Sequence, residues 1–157
     1  DYVPPVVDFD DRETNVETGR QQLRDVGNIY FDFDKATIKE ESKPTLNKVV
    51  DIMNKYPSIN IEIGSHADAR GSDQYNLGLS ERRAASTLEY LVENGIDRSR
   101  LTSKGYGESM PLNDCTQPTG CTAEQYAVNR RSEFTIMDDK TNNAEKTEMD
   151  EEINEDN

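Results

Sequence analysis

The chain has one histidine, two cysteines and 18 basic residues against 32 acids. It also has no apolar run close to the roughly eighteen residues that a membrane-spanning helix needs. Each shortage removes a class of function. Without a basic field there is no footprint for phosphate backbones, so nucleic-acid binding is disfavoured. The two thiols have no histidine near them in the sequence, and a metal site needs more ligands than two thiols. The first residue is Asp1 rather than the lipid-carrying cysteine of a processed lipoprotein, and no secretory signal opens the chain, which reads as soluble. The pair Pro4-Pro5 looks like a linker, which favours a piece of a longer protein over a processed whole one.

What is present is unevenly placed. The chain has 157 residues, of which 32% are hydrophobic, and its net charge is −14. Residues 1–18 carry six acids and one base, and residues 138–157 carry nine acids and two bases, so the ends hold −5 and −7 and the middle only −2. Such ends are expected to be solvated, mutually repelling tails without structure. The division expected is therefore an acidic linker over 1–20, one folded domain over 21–137 and an acidic tail over 138–157.

The two cysteines, Cys115 and Cys121, stand six positions apart in a loop rich in Thr, Pro and Gly. A redox pair is spaced C-x-x-C and a metal site needs more ligands, so the pair reads as a small-loop disulfide. Such a bridge is worth on the order of 2 kcal/mol and implies an oxidising compartment such as the periplasm.

Between the tails the periodicity is legible. Ile29, Phe31 and Phe33 alternate with polar residues, as in a half-buried strand. Ser42 and Pro44 can open a helix whose apolar face is Leu46, Val49, Val50 and Met53, stopped by Pro57. Ile59, Ile61 and Ile63 form a second strand that delivers Asp68 beyond its end. A second helix carries Ala84, Ala85, Leu88, Leu91 and Val92 on its apolar face and closes at Asn94-Gly95. Residues 101–105 can form a third strand, 124–129 a helical turn and 133–137 a last strand. Two strand-helix-strand units predict an α+β fold, a two-layer α/β sandwich in which one sheet carries both helices on a single face.

The stretch SHADARGSDQYNLGLSERRA, Ser65 to Ala84, brings an acid at a strand end and two arginines on a helix into one neighbourhood. With IYFDFDKATIKEES from Ile29 and NRRSEFTI from Asn129, it resembles the OmpA-like C-terminal domain, a peptidoglycan-binding module also found in Pal lipoproteins and flagellar stator proteins. The resemblance covers residues 27–137 and implies a sandwich with a mixed βαβαβ-type sheet. It also implies a non-catalytic anchor, without cofactor or metal, that holds the diaminopimelate of the wall's stem peptide in the periplasm. On that pattern Asp68 receives the ligand's amino group and Arg83 its carboxylate, while Asp34, Asn76 and Leu79 line the pocket.

Each of these residues has a plainer reading from the sequence. Asp68 can be a turn acid bonding its own downstream amides, and Asp34 can cap the Lys35-Ala36 turn. Arg82 is expected to be a solvated partner of nearby acids, and Arg130 and Arg131 to anchor the last strand through a structural ion pair. Ser65, His66 and Asp68 suggest a triad only superficially, because neighbouring strand residues face opposite sides. Asp32-x-Asp34 resembles the start of a calcium loop but lacks the glycine and closing glutamate. A protein-interaction domain of the same fold, with the acidic tails or the disulfide loop recruiting a partner, is the alternative to a wall anchor.

Overall fold

The computed structural model describes residues 8–137, with side chains from residue 16 onward. The expected tail over 138–157 and residues 1–7 of the expected linker lie outside the described residues. A four-stranded mixed sheet holds the strands in the order β1-β4-β2-β3. These are β1 (Ile29–Tyr30), β2 (Asn60–Ser65), β3 (Leu101–Gly105) and β4 (Arg131–Met137). The last strand enters the middle: β4 is antiparallel to β1 and to β2, whereas β2 and β3 are parallel.

Helices α2 (Lys43–Lys55) and α3 (Asp73–Glu93) are the two crossovers, as the strand-helix-strand pattern predicts. Leu46, Val49 and Met53 of α2 and Ala84, Leu88 and Leu91 of α3 share one core with Ile61 and Ile63 of β2. The turn before β4 contains the short helix α4 (Ala123–Ala127). A capping box between Thr122 and Gln125 starts it, each side chain bonding the other's backbone. Among the described residues, no helix is long and apolar enough to cross a membrane.

Two expectations need correction. From Asp8 onward the stretch read as linker is helix α1 (Asp8–Val26). Its acidic composition hides a few residues that reach the core: Leu23 is buried with the sheet residues, and Gly19 is the point of closest approach. A side-chain carbon at Gly19 would lie 2.2 Å from the tip of Ile59. The first strand is also shorter than the alternation of Ile29, Phe31 and Phe33 implies. Phe31 is buried, but the chain turns at Asp32, where the amide of Lys35 donates to its carbonyl, and Asp34 takes φ 60°. Phe33 is left 56% exposed, facing away from the core.

The sheet and α3 touch most closely at Gly105. A carbon added there would lie 2.4 Å from the backbone nitrogen of Glu81 and 2.6 Å from Ser80 Oγ. The contact seats the hydroxyl of Ser80, which donates to the carbonyl of Leu77 and accepts from the amide of Gly107. Gly105→Ala must therefore push the helix from the strand, because backbone cannot rotate aside. The expected cost is about 1–3 kcal/mol, read as a lower midpoint in urea denaturation with an unchanged slope. Unaltered stability would show that α3 is free to shift.

Candidate functional site

The site is built where β2 ends. Its last residues run on as His66-Ala67-Asp68, held by hydrogen bonds from the His66 amide to the Arg131 carbonyl (2.8 Å) and from the Ala67 amide to the Gly107 carbonyl (2.9 Å). Gly71, at φ 103°, turns the chain, and Ser72 caps α3 by accepting from the Tyr75 amide. The start of α3 and the turn after β1 then close around a cleft of about 240 Å³.

All five residues singled out in the sequence line this cleft: Asp34, Asp68, Asn76, Leu79 and Arg83. Leu79 is buried and forms an apolar wall. Asn76 is also buried, and its amide donates to the carboxyl of Glu108. Asp34 stays exposed and accepts from the hydroxyl of Tyr75, which pushes the phenol's pKa upward.

Arg83 is deeper than helical spacing suggests. Instead of lying at the edge of the apolar face, it is wholly buried. Its Nε donates to the carbonyl of Lys35 (2.8 Å), Nη1 to that of His66 (3.0 Å) and Nη2 to that of Asp32 (3.1 Å). The ring of Phe31 lies 5.3 Å from its central carbon. Among the described residues no carboxylate comes within ion-pair distance of this cation. Burial, with the field of Arg130 added, pushes its pKa down to about 10, so it stays charged at neutral pH. A guanidinium has five N–H donors and three are used here. One remains on each terminal nitrogen.

Asp68 takes the plainer of its two readings and adds an ion pair to it. It accepts from the amide of Arg70 (2.9 Å), as a turn acid does, and forms a two-pronged ion pair with the same residue's guanidinium at 3.1 and 2.9 Å. Arg130 lies 3.6 Å from its second oxygen. Burial alone would raise this carboxyl, but the bonds from Arg70 outweigh it and hold the pKa below the ordinary value.

Arg70, Phe33 and Tyr75 also line the cleft and escaped the sequence reading. Arg70 is sandwiched between Phe33, 4.3 Å from its ring centre, and Tyr126, 4.7 Å away. Tyr126 packs in turn with Ala69 and Cys115, so the disulfide Cys115–Cys121 supports the platform beneath Arg70. The signal for Phe33 was the acid on either side of it. Two acids flanking an aromatic suit a turn at a cleft better than a strand interior.

The remaining candidates separate. Arg131 pairs with Glu133 at 2.6 Å and also bonds the Met110 carbonyl, which is the anchoring role expected of it. Arg130 bonds the Phe31 carbonyl at 2.7 Å and so ties β4 to the cleft's edge. Ser65 and His66 do point apart: the serine hydroxyl meets that of Ser132 at 2.5 Å, while His66 stacks on Tyr106. Among the described residues, no group of three or more His, Cys, Asp or Glu side chains is placed to hold a metal ion.

A two-layer α/β sandwich with a charged cleft at the end of its central strands defines the class of this domain. The chain belongs to the OmpA family, whose model matches residues 30–125. Outer membrane porin F of Pseudomonas fluorescens is 41% identical over 108 residues, covering 69% of this chain and 32% of the porin. The peptidoglycan-associated lipoprotein of Brucella melitensis is 36% identical over 100 residues, covering 64% of this chain and 60% of the lipoprotein. The chain thus spans less than two thirds of either relative. The crystal structure of the peptidoglycan-associated lipoprotein from Burkholderia pseudomallei shares the fold, with a TM-score of 0.64 at 24% identity, over 70% of this chain and 89% of that one.

Proposed function

We propose that the cleft receives the free end of diaminopimelate in the stem peptide of peptidoglycan, and that the domain tethers an envelope protein to the wall without catalysis. The observation that carries this reading is the state of Arg83. A fully buried cation is hydrogen-bonded only to carbonyls and has two donors left to offer a carboxylate in its plane. Asp68 and Asp34 offer acceptors for the ammonium on the same carbon of the ligand, and Leu79 offers an apolar wall for its methylene chain. Each sheltered charged contact contributes about 1.5–3 kcal/mol, so one site binds modestly and repeated attachment along the polymer supplies avidity.

The relatives' names support the same reading, one being peptidoglycan-associated and another an outer-membrane porin. On this basis we place the protein in the periplasm of a Gram-negative-type envelope, associated with the outer membrane, where a disulfide persists. The test is a titration with meso-diaminopimelate followed by amide NMR. Saturable shifts are expected at residues 33–34, 67–71 and 75–83. Asp34→Ala, at an exposed position, is expected to weaken binding several-fold, on the order of 1 kcal/mol, because its carboxylate is open to water. No saturation at millimolar concentration, either with the free amino acid or with a stem-peptide fragment, would overturn the proposal.

A further inference from the structure

Arg82 adjoins Arg83 in sequence and occupies a different environment. It is exposed, and among the described residues no acid lies within ion-pair distance of it, contrary to the expectation of a solvated ion pair. Its side chain folds back toward the start of α3. The guanidinium carbon lies 6.0 Å from the centre of the Tyr75 ring. Nη1 lies 3.4 Å from where a side-chain carbon would stand at Gly78. Tyr75 in turn bonds Asp34 on the cleft wall.

Arg82 also lines a second, open groove of about 730 Å³ between α3 and the segment joining β1 to α2, with Ala36, Ile38 and Ala85. It lines only this groove, and its link to the rim of the first cleft is Tyr75, which lines that cleft. The groove's other charges are engaged: Lys43 with Glu40 at 2.6 Å, and Glu89 with Arg98 at 2.7 Å. Glu93, farther along α3, has the wrong sign to hold an anion.

We infer that Arg82 binds the carboxylate of the ligand residue next to the diamino acid, the free α-carboxylate of the γ-linked glutamyl residue in a wall stem peptide. This rests on the proposed reading of the cleft. A γ-linkage leaves that carboxylate beside the amide joining glutamate to the diamino acid. With the diamino acid's far end fixed at Arg83, its near end emerges past Tyr75. Arg82 is the cation waiting beside Tyr75, and the apolar floor of the groove accommodates the glutamyl methylenes.

The test uses two synthetic tripeptides, L-Ala-γ-D-Glu-meso-diaminopimelate and its counterpart with isoglutamine, titrated by calorimetry into the parent protein and Arg82→Gln. At low ionic strength the parent is expected to bind the acid about three- to five-fold more tightly than the amide, the range of an exposed ion pair. Arg82→Gln is expected to bind the two alike, and added salt to narrow the parent's preference. Equal binding of the two peptides by the parent would overturn the inference, as would a preference that survives in Arg82→Gln. If neither the tripeptides nor free diaminopimelate binds the parent, the reading of the cleft itself falls and takes this inference with it.

Discussion

Replacing Arg83 by methionine is expected to abolish ligand binding and to cost on the order of 2–4 kcal/mol in stability. Methionine fills much of the same volume, so the loss comes chiefly from the carbonyls of Lys35 and His66, which lose their donors, while that of Asp32 keeps the amide of Lys35. The His66 carbonyl is buried and carries the full penalty of an acceptor left without a partner, whereas that of Lys35 is nearer water and loses less. Those carbonyls belong to the turn after β1 and to the end of β2, so this one side chain ties two loops to α3 and shapes the cleft it serves. Because the whole domain is worth about 5–15 kcal/mol, the variant should remain folded but fragile. Arg83→Lys separates the two roles. It restores the charge, yet a compact ammonium cannot hold three carbonyls and a carboxylate in one plane, so part of the stability should return while affinity does not. Urea denaturation beside titration with meso-diaminopimelate reads both. Parent-like stability of the methionine variant would refute the interlock, and retained binding would move the site elsewhere.

The legible parts of this structure were those where one physical preference dominates. Ile61 and Ile63 alternate on a central strand, and Leu46, Val49 and Met53 repeat at helical spacing, so burial alone dictates those elements. The acid beyond β2 and the arginine on α3 stood out as a pair through the resemblance of their stretch to the OmpA-like pattern, since from its neighbours alone Asp68 reads as a turn acid. Arg70 was not visible. Its place depends on Phe33 and Tyr126 from distant parts of the chain, a contact that no local pattern encodes. Helix α1 was obscured for the opposite reason, since its composition is that of a solvated tail and only Leu23 and a glycine betray the packing. The depth of Arg83 was underestimated because helical geometry gives an angle round the axis and says nothing of the loops that close over it.

Stability should respond to acid through two groups that pull in opposite directions. His66 is 1% exposed, and neither ring nitrogen has a hydrogen-bond partner. Burial and the charge of Arg131 push its pKa down to about 4, with Glu133 at 3.5 Å opposing only in part. Unfolding releases the ring to its ordinary value near 6.5, so the unfolded chain takes up a proton first. The stability tied to neutral His66 is complete above pH 6.5 and falls by about 1.4 kcal/mol per pH unit as acid approaches pH 4. Glu108 does the reverse. Burial and the neighbouring Asp73, with Asp68 adding its field, raise its pKa to about 7. The folded state thus binds that proton first, and stability rises as pH falls from 7 toward 4.5. The total effect of Glu108 is smaller and spans a narrower pH range, because solvent screens this partly buried group. The two effects partly cancel in the parent, whose stability should decline only gently between pH 7 and 4.5. Glu108→Gln removes the opposing group and should steepen the decline to the full histidine slope, whereas His66→Phe should invert it. Urea denaturation at half-unit pH intervals distinguishes the three curves. A Glu108→Gln curve parallel to the parent's would mean that Glu108 is ionised in the folded protein at neutral pH. The carboxyl bonded to Asn76 at the cleft wall would then be an acceptor only, adding negative charge beside Asp68 rather than withholding it.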